Sequence, residues 1–539
     1  MSGRKWAGII RVRGLVLGLC LLLAGCGERE IEATPVVTPA PEPPAAVSVS
    51  PVYTDWSKLE PYEAPEVKYT RRREEHMDRL IPAKDYGAVI PFAGASLTRM
   101  ESWSGYHDSY SLYGLVTPEG EVVADPVFTS AHALTGRDSY GNPTEYPGVW
   151  LLGKPISAPG KEEPEEWFAL CAKDGSWCTD FLYDYDWERM MAASFDGGLP
   201  LPCRGGDIAL VDPYSGKELR RVDCSAWLTD TAYWNGIYVD PDSGYLSANL
   251  YDWEADARVP LVFDPQGERV ALPPEVCWVG QCGDGLIPAQ IMEAGTSAWY
   301  GYVDAATGQW AITPTYRNGE TFSHGVAPVS DGINGYFIDK TGRALTGGYP
   351  TQFQRHGDYW YFMTENWSVA AVFDQEGHEV ESPLVWAGSP GFEGEGWVTV
   401  QGETERLLIR GAEIHSFPQS LGWINGIRGD RILFQTEGEN PTVTLVNLEG
   451  KILARWKGEG SGYFDQNELT GESYVQLYSY SSQGSQAGYY DLDGKELFPI
   501  QGYHSLYGDL LYRYDEGYSS LTDREGELVF GWRYPLAED

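Results

Sequence analysis

The sequence predicts an all-β protein in which repeated antiparallel hairpins form a β-propeller-like body. Two observations predict it. An apolar pair, an acidic turn and a glycine recur along most of the chain, and self-similarity at a steady step marks repeat architectures. The composition agrees, because 63 Gly, 35 Pro, 35 Tyr and 20 Trp among 539 residues supply turns and strand-favouring aromatics rather than helix-bundle blocks. At 42% apolar and 22% charged, the chain holds too many large apolar side chains to be disordered throughout. Its 78 acidic residues against 39 Lys and Arg give a formal charge of −39. Such a charge argues against nucleic acid as a partner and against anionic lipid heads, since both are held by clustered Lys and Arg.

Residues 1–25 carry Arg4, Lys5, Arg11 and Arg13 and no acid, then an apolar run from Gly14 to Ala24. That run is about half the ~20 residues a helix needs to span a bilayer, so it reads as the apolar region of a signal peptide. Leu23-Ala24-Gly25-Cys26 resembles the lipobox of bacterial lipoproteins. The resemblance implies that Cys26 is lipidated and begins a mature, membrane-anchored extracytoplasmic chain; a plain secretory signal is the alternative. Residues 26–62 hold Pro35, Pro39, Pro41, Pro43, Pro44 and Pro51, a composition that cannot build a core and favours an extended, disordered stalk. Residues 63–109 form an entry segment, in which Pro65 to Leu80 is expected to be a short helix with Arg71, Arg72 and Arg73 beside Glu74 and Glu75 on a solvated face.

The repeat domain spans 110–535. Its hairpins are centred on Gly120, Gly175, Gly216, Gly244, Gly267, Gly308, Gly342, Gly377, Gly411, Gly450, Gly494 and Gly526, at a mean step of about 37 residues. A short hairpin loop built on a type I turn ends at positive φ, which glycine adopts without a Cβ clash, while Asp or Asn at the turn's entry bonds backbone N–H groups ahead of it. Each copy is therefore a hairpin. A third strand precedes some of them, as Val326 to Val329 precedes Tyr336 to Ile338 and Tyr359 to Phe362 precedes Val369 to Phe373. Small sheets of this kind cannot bury their faces alone and must stack on neighbours. Gly216, Gly244 and Gly267 follow too closely for separate four-stranded units, so some adjacent hairpins share a sheet. Residues 135–168 and 179–206 read as insertions. Two propellers or an open β-solenoid are the rival arrangements.

Gly301-Tyr302-Val303-Asp304 through Gly308 to Tyr316, then Phe322 to Val329 and Asn334 to Gly342, resemble the WG-repeat (KWG-type) family of bacterial proteins. Tyr113-Gly114-Leu115-Val116 through Gly120 to Phe128 is a second good copy. Where the family has Trp-Gly, this chain mostly has Tyr-Gly or Asn-Gly. The resemblance implies repeated β units, often in secreted or anchored proteins, and carries no catalytic residues with it.

Outside the leader and Cys26, six cysteines lie between 171 and 282, and export makes disulfides available to them. Cys171 with Cys178, Cys203 with Cys224 and Cys277 with Cys282 is the expected pairing, free buried thiols being the alternative. No zinc site is expected, as no CxxC occurs and no His lies among them. The chain has no GxSxG, HExxH, GxGxxG or P-loop, and its histidines, His324 and His378 included, never fall at a ligand spacing, so no catalytic or metal residue is assigned. Asp184 with Asp186 and Asp491 with Asp493 could hold calcium but lack a full loop of ligands, so no cofactor is expected. Residues 139–150 and 479–490 read as loops fit for recognition. These features favour a lipid-anchored, non-enzymatic scaffold for a protein or glycan partner over a glycan-active enzyme or substrate-binding component of the cell envelope.

Overall fold

The computed structural model describes residues 68–69, 88–99, 108–134 and 136–534, the last apart from 138–142, 146–147, 157–164, 185–196, 204, 230, 293–297, 351, 386–389, 403, 439–440, 458–459, 482–483, 499–504 and 516. The leader, Cys26, the stalk and most of the entry segment lie outside the described residues. Regular structure among the described residues is β-strand, with single 3₁₀ turns at Gly394–Gly396 and Gln419–Leu421. No helix among them is long and apolar enough to cross a membrane.

Among the described residues, eleven antiparallel sheets of three or four strands follow one another in chain order, each built from consecutive strands except the second, into which the two-stranded sheet of Gly136–Arg137 and Pro143–Glu145 is inserted. We number them sheet 1 (90–128), 2 (130–172), 3 (199–223), 4 (232–263), 5 (276–316), 6 (318–350), 7 (352–373), 8 (391–418), 9 (423–457), 10 (461–498) and 11 (505–533). The body thus begins at Ile90, ahead of the expected boundary at 110. Lys68–Tyr69, inside the stretch expected to be helical, instead pairs with Leu97 and Thr98 on the edge of sheet 1.

Each sheet packs face to face on the next. Adjacent residues of one central strand, pointing opposite ways, therefore serve two different cores. Tyr302 joins the core between sheets 5 and 6 while Val303 joins that between 4 and 5. Phe337 packs toward sheet 7 and Ile338 toward sheet 5, and Leu408 and Ile409 divide in the same way between sheets 9 and 7. Central strands are consequently buried along much of their length, as in Val326–Ser330 and Tyr359–Met363. The alternation of buried and exposed residues survives only on outer strands such as Trp310–Tyr316.

The circuit closes. Phe92 of sheet 1 meets Phe530 and Trp532 of sheet 11 at ring-centroid distances of 4.9 and 5.2 Å, and one core cluster holds residues of sheets 1, 2 and 11. Sheets linked end to end in this way form a single propeller-like ring, which removes the solenoid and two-ring alternatives. Gly244 and Gly267 do share a sheet, whereas Gly216 belongs to the sheet before it.

Segments read as loops contain strands. Within 139–150 the described residues include the short strand Pro143–Glu145 and the start of Val149–Ile156, the central strand of sheet 2, with Val149 and Trp150 buried. Ser473–Ser481 and Gly484–Tyr490 pair without a break from Val475 opposite Tyr490 to Ser481 opposite Gly484. Their Ser, Gln and Gly content hides a long hairpin whose ladder needs only backbone groups.

Candidate functional site

In an antiparallel sheet the first turn and the third fall at the same end. In sheets 4 to 11 the glycine-ended hairpins and the turns that open the second strand therefore share one rim of the body. Their chemistry is repetitive: the glycine N–H bonds the carbonyl of Asp212, Asp240, Asp264, Asp304, Asp339, Asp374, Asp491 or Asp523, with Asn447 in the same place in sheet 9. All twelve turn glycines have positive φ, from 57° to 87°. The entry carboxylate then accepts from backbone N–H groups ahead of it, as Asp264 Oδ1 does from Gln266 (2.9 Å) and Glu268 (2.8 Å). Asp491 Oδ1 takes Asp493 N (2.9 Å) and Lys495 N (2.8 Å) in the same fashion. The turn needs only one oxygen, and the second takes further partners in several sheets, Ser215 Oγ at Asp212 (2.5 Å), Arg343 Nε at Asp339 (3.0 Å) and His378 Nδ1 at Asp374 (3.2 Å).

Bonds between neighbouring sheets set these turns side by side. Gly325 N donates to Asp284 Oδ2 at 2.6 Å, and Lys340 Nζ to Asp284 O at 2.7 Å. Gly429 N donates to Glu395 Oε2 at 2.8 Å. Arg431 reaches Leu492 O at 2.8 Å and Asp493 Oδ1 at 2.9 Å, and Arg220 Nη1 reaches Asp264 O at 2.7 Å. The result is an acidic rim in which a few cations are spent holding sheets together.

At sheets 6 and 7 the rim gathers four donor groups of mixed type. Ligand atoms of Asp374, Glu376 and His378, spaced by two along one hairpin turn, lie within 4.8 Å of one another. His378 Nδ1 is 3.2 Å from Asp374 Oδ2, while Asp374 Oδ1 accepts His378 N at 2.8 Å. From the neighbouring sheet, His324 Nε2 stands 3.9 Å from Glu376 Oε1, and its Nδ1 is 2.8 Å from Ser323 Oγ. The sequence carries a faint sign of the first three residues in their alternate spacing, and none of His324.

Where the ring closes, Lys173 of the turn after sheet 2 is buried against Glu468 of sheet 10, its Nζ 3.6 Å from Oε2 and 3.8 Å from the Trp150 ring centre. Burial pushes the lysine down and the glutamate up. Burial also pushes up the carboxyls of Glu320 and Glu393. Glu393 accepts from Thr399 Oγ1 at 3.0 Å. These three raised carboxyls belong to sheets 6, 8 and 10 or the turns beside them.

Cys171 and Cys178 are bonded across the Gly175 hairpin, whereas Cys203, Cys224, Cys277 and Cys282 are free. The two remaining expected bridges are absent because their cysteines serve different surroundings. Cys203 packs in the core between sheets 2 and 3 and Cys224 in that between 3 and 4. Cys277 sits in the bulge between Val276 and Trp278, while Cys282 is buried between sheets 4 and 5. Asp186 lies outside the described residues, and Asp493 is paired with Arg431.

Residues 300–332 match the model of the WG containing repeat. The match covers the last two strands of sheet 5 and the first two of sheet 6, so the sequence unit is offset from the structural one by half a sheet. No curated protein matches the chain. Among solved structures the chain is similar to BamB from Moraxella catarrhalis, at 9% identity over 64% of this chain and 95% of that one, with a TM-score of 0.25. It is also similar to a eukaryotic initiation factor (7% identity, 78% and 97% covered, TM-score 0.33). Apo AztD from Citrobacter koseri is a third (9%, 62% and 93%, TM-score 0.21).

Proposed function

We propose that this chain is a WG-repeat lipoprotein of the KWG type, anchored through Cys26 outside the cytoplasm, whose ring is a non-enzymatic scaffold. The observation that carries this reading is the acidic rim. Acidic turns of successive sheets gather at one end of the body, a field that attracts and steers a basic protein surface. The opposite end carries the exposed side chains of Trp253, Ile333 and Trp367 on the turns between second and third strands. Lys68, paired with Thr98 near the far end of sheet 1's first strand, also lies at that opposite end.

The alternative, a glycan-active enzyme, needs two carboxylates roughly 5–10 Å apart across one cleft. The carboxyls tuned upward by burial are instead spread over three sheets. The test has two arms. Cys26→Ser should move the protein from the membrane fraction to the soluble one, and a photo-crosslinker at Glu525 on the acidic rim should capture a basic envelope protein that one at Trp367 does not. Membrane retention of the Cys26→Ser chain would end the anchoring reading; equal capture at both ends, or release of sugar from envelope glycans, would end the scaffold reading.

A further inference from the structure

We infer that His324, Asp374, Glu376 and His378 form a binding site for a borderline divalent cation of the zinc type, tying sheet 6 to sheet 7. Four donors of two kinds, imidazole nitrogen and carboxylate oxygen, suit zinc, which takes four such ligands in a tetrahedron at about 2.0–2.2 Å. Bonds of that length place ligand atoms roughly 3.3–3.5 Å apart. The observed separations bracket this distance, at 3.2 Å between His378 Nδ1 and Asp374 Oδ2 and 3.9 Å between His324 Nε2 and Glu376 Oε1. The ligand atoms of Asp374, Glu376 and His378 lie within 4.8 Å of one another, and His324 reaches this group through Glu376.

The surroundings are those a ligand set needs. Metal-bound histidines generally donate their second ring N–H to an oxygen, which fixes tautomer and ring plane. Ser323 Oγ is placed to accept from His324 Nδ1 at 2.8 Å, turning the Nε2 lone pair toward Glu376. The backbone beneath is fixed as well. His324 has φ +53°, and the next N–H, that of Gly325, is held by Asp284 Oδ2. Asp374 is held by its own turn, with Oδ1 occupied by His378 N and Oδ2 left for the cation. The site is open to solvent, with His324 and Glu376 side chains about half exposed at 48% and 49%, so a cation can enter and water can complete its shell.

The competing explanation is two imidazolium–carboxylate pairs with no metal. The two differ in their response to pH, because a cation requires neutral imidazoles while a plain pair requires protonated ones. The experiment is calorimetric titration of the tag-free full chain with Zn²⁺ at pH 7.5 and pH 5.5, alongside His324→Ala, Glu376→Gln, His378→Ala and the triple variant. We expect the wild-type chain to take up one more equivalent of Zn²⁺ than the triple variant and each single change to weaken that equivalent at least tenfold. Binding should fade at pH 5.5, and Ca²⁺ should not compete. Zn²⁺ should also raise the melting temperature of the wild-type chain more than that of the triple variant. Equal stoichiometry in wild type and triple variant would overturn the site. A loss confined to His378→Ala, with His324→Ala unchanged, would overturn its bridging of two sheets. Asp374→Asn is avoided as a probe because that residue also builds the turn.

Discussion

Trp532 donates its indole N–H to the carbonyl of Gly94 at 2.9 Å, a buried bond between residues 438 positions apart. Ser519 Oγ makes a parallel bond to Ala93 O at 2.5 Å. Both join sheet 11 to sheet 1, and the aromatic face of Trp532 against Phe92 supplies the packing around them. Trp532→Phe keeps most of that bulk and leaves the Gly94 carbonyl unpaired. It should cost about 1–3 kcal/mol in urea unfolding, and Trp532→Ala about 3–5 kcal/mol. A loss of only a few tenths for Trp532→Ala would mean that the ring does not depend on its closure.

Asn249 clamps sheet 4 to sheet 5 with both ends of its amide, donating to Val279 O at 2.7 Å and accepting from Val279 N at 2.9 Å. The residue is buried. Asn249→Leu preserves volume but strands a buried donor and a buried acceptor, so it should cost about 2–4 kcal/mol. The check is the urea midpoint at unchanged slope. A neutral result would mean that water reaches Val279.

Asp339 gives a pH signature. The hydroxyl of Thr341, the backbone N–H groups of Thr341 and Arg343, and the Arg343 guanidinium hold its carboxyl at about 2. The folded chain therefore keeps this group ionised where the unfolded chain binds a proton. The stabilisation is complete above about pH 4 and is lost as pH falls toward 2. Asp339→Asn should flatten that part of the stability curve and leave the curve above pH 5 parallel to the wild type. An unchanged acid limb would show that other carboxylates dominate it.

Gly308 and Gly450 separate two roles of a turn glycine. Both have positive φ, 68° and 80°, so alanine at either meets a left-handed penalty of about 1–2 kcal/mol. A Cβ at Gly450 meets nothing within 4 Å, while one at Gly308 would stand 2.0 Å from the Ala271 carbonyl oxygen in the segment before sheet 5. Gly450→Ala should thus cost the backbone term alone, and Gly308→Ala clearly more. Equal melting temperatures for the two variants would contradict the close approach.

Much of this was legible because turns are local. An Asp or Asn, two or three residues and a Gly specify a hairpin wherever they stand, and the weak copy at Gly411, which lacks that Asp, still has positive φ. The short steps around Gly244 announce that some hairpins share a sheet, as Gly244 and Gly267 do, while the short step from Gly216 instead joins two three-stranded sheets. What depends on distant neighbours was hidden. Leu199–Pro202 is a buried strand with no turn signature, and without it sheet 3 cannot be counted. His324 reaches Glu376 only because two sheets stack, and Cys203 and Cys224, expected to pair, are divided between two cores by a strand that lies between them.

Closure also sets an order of events during synthesis. Sheet 1 emerges first, yet the partner for the Phe92 side of its surface is Phe530 and Trp532, near the last residues made. Until they arrive, an apolar face of the earliest sheet stays bare while the intervening sheets accumulate, a state prone to aggregate and slow to resolve because the final contact spans most of the chain. A nascent chain stalled before residue 505 would therefore be a client for holding chaperones rather than a smaller folded ring.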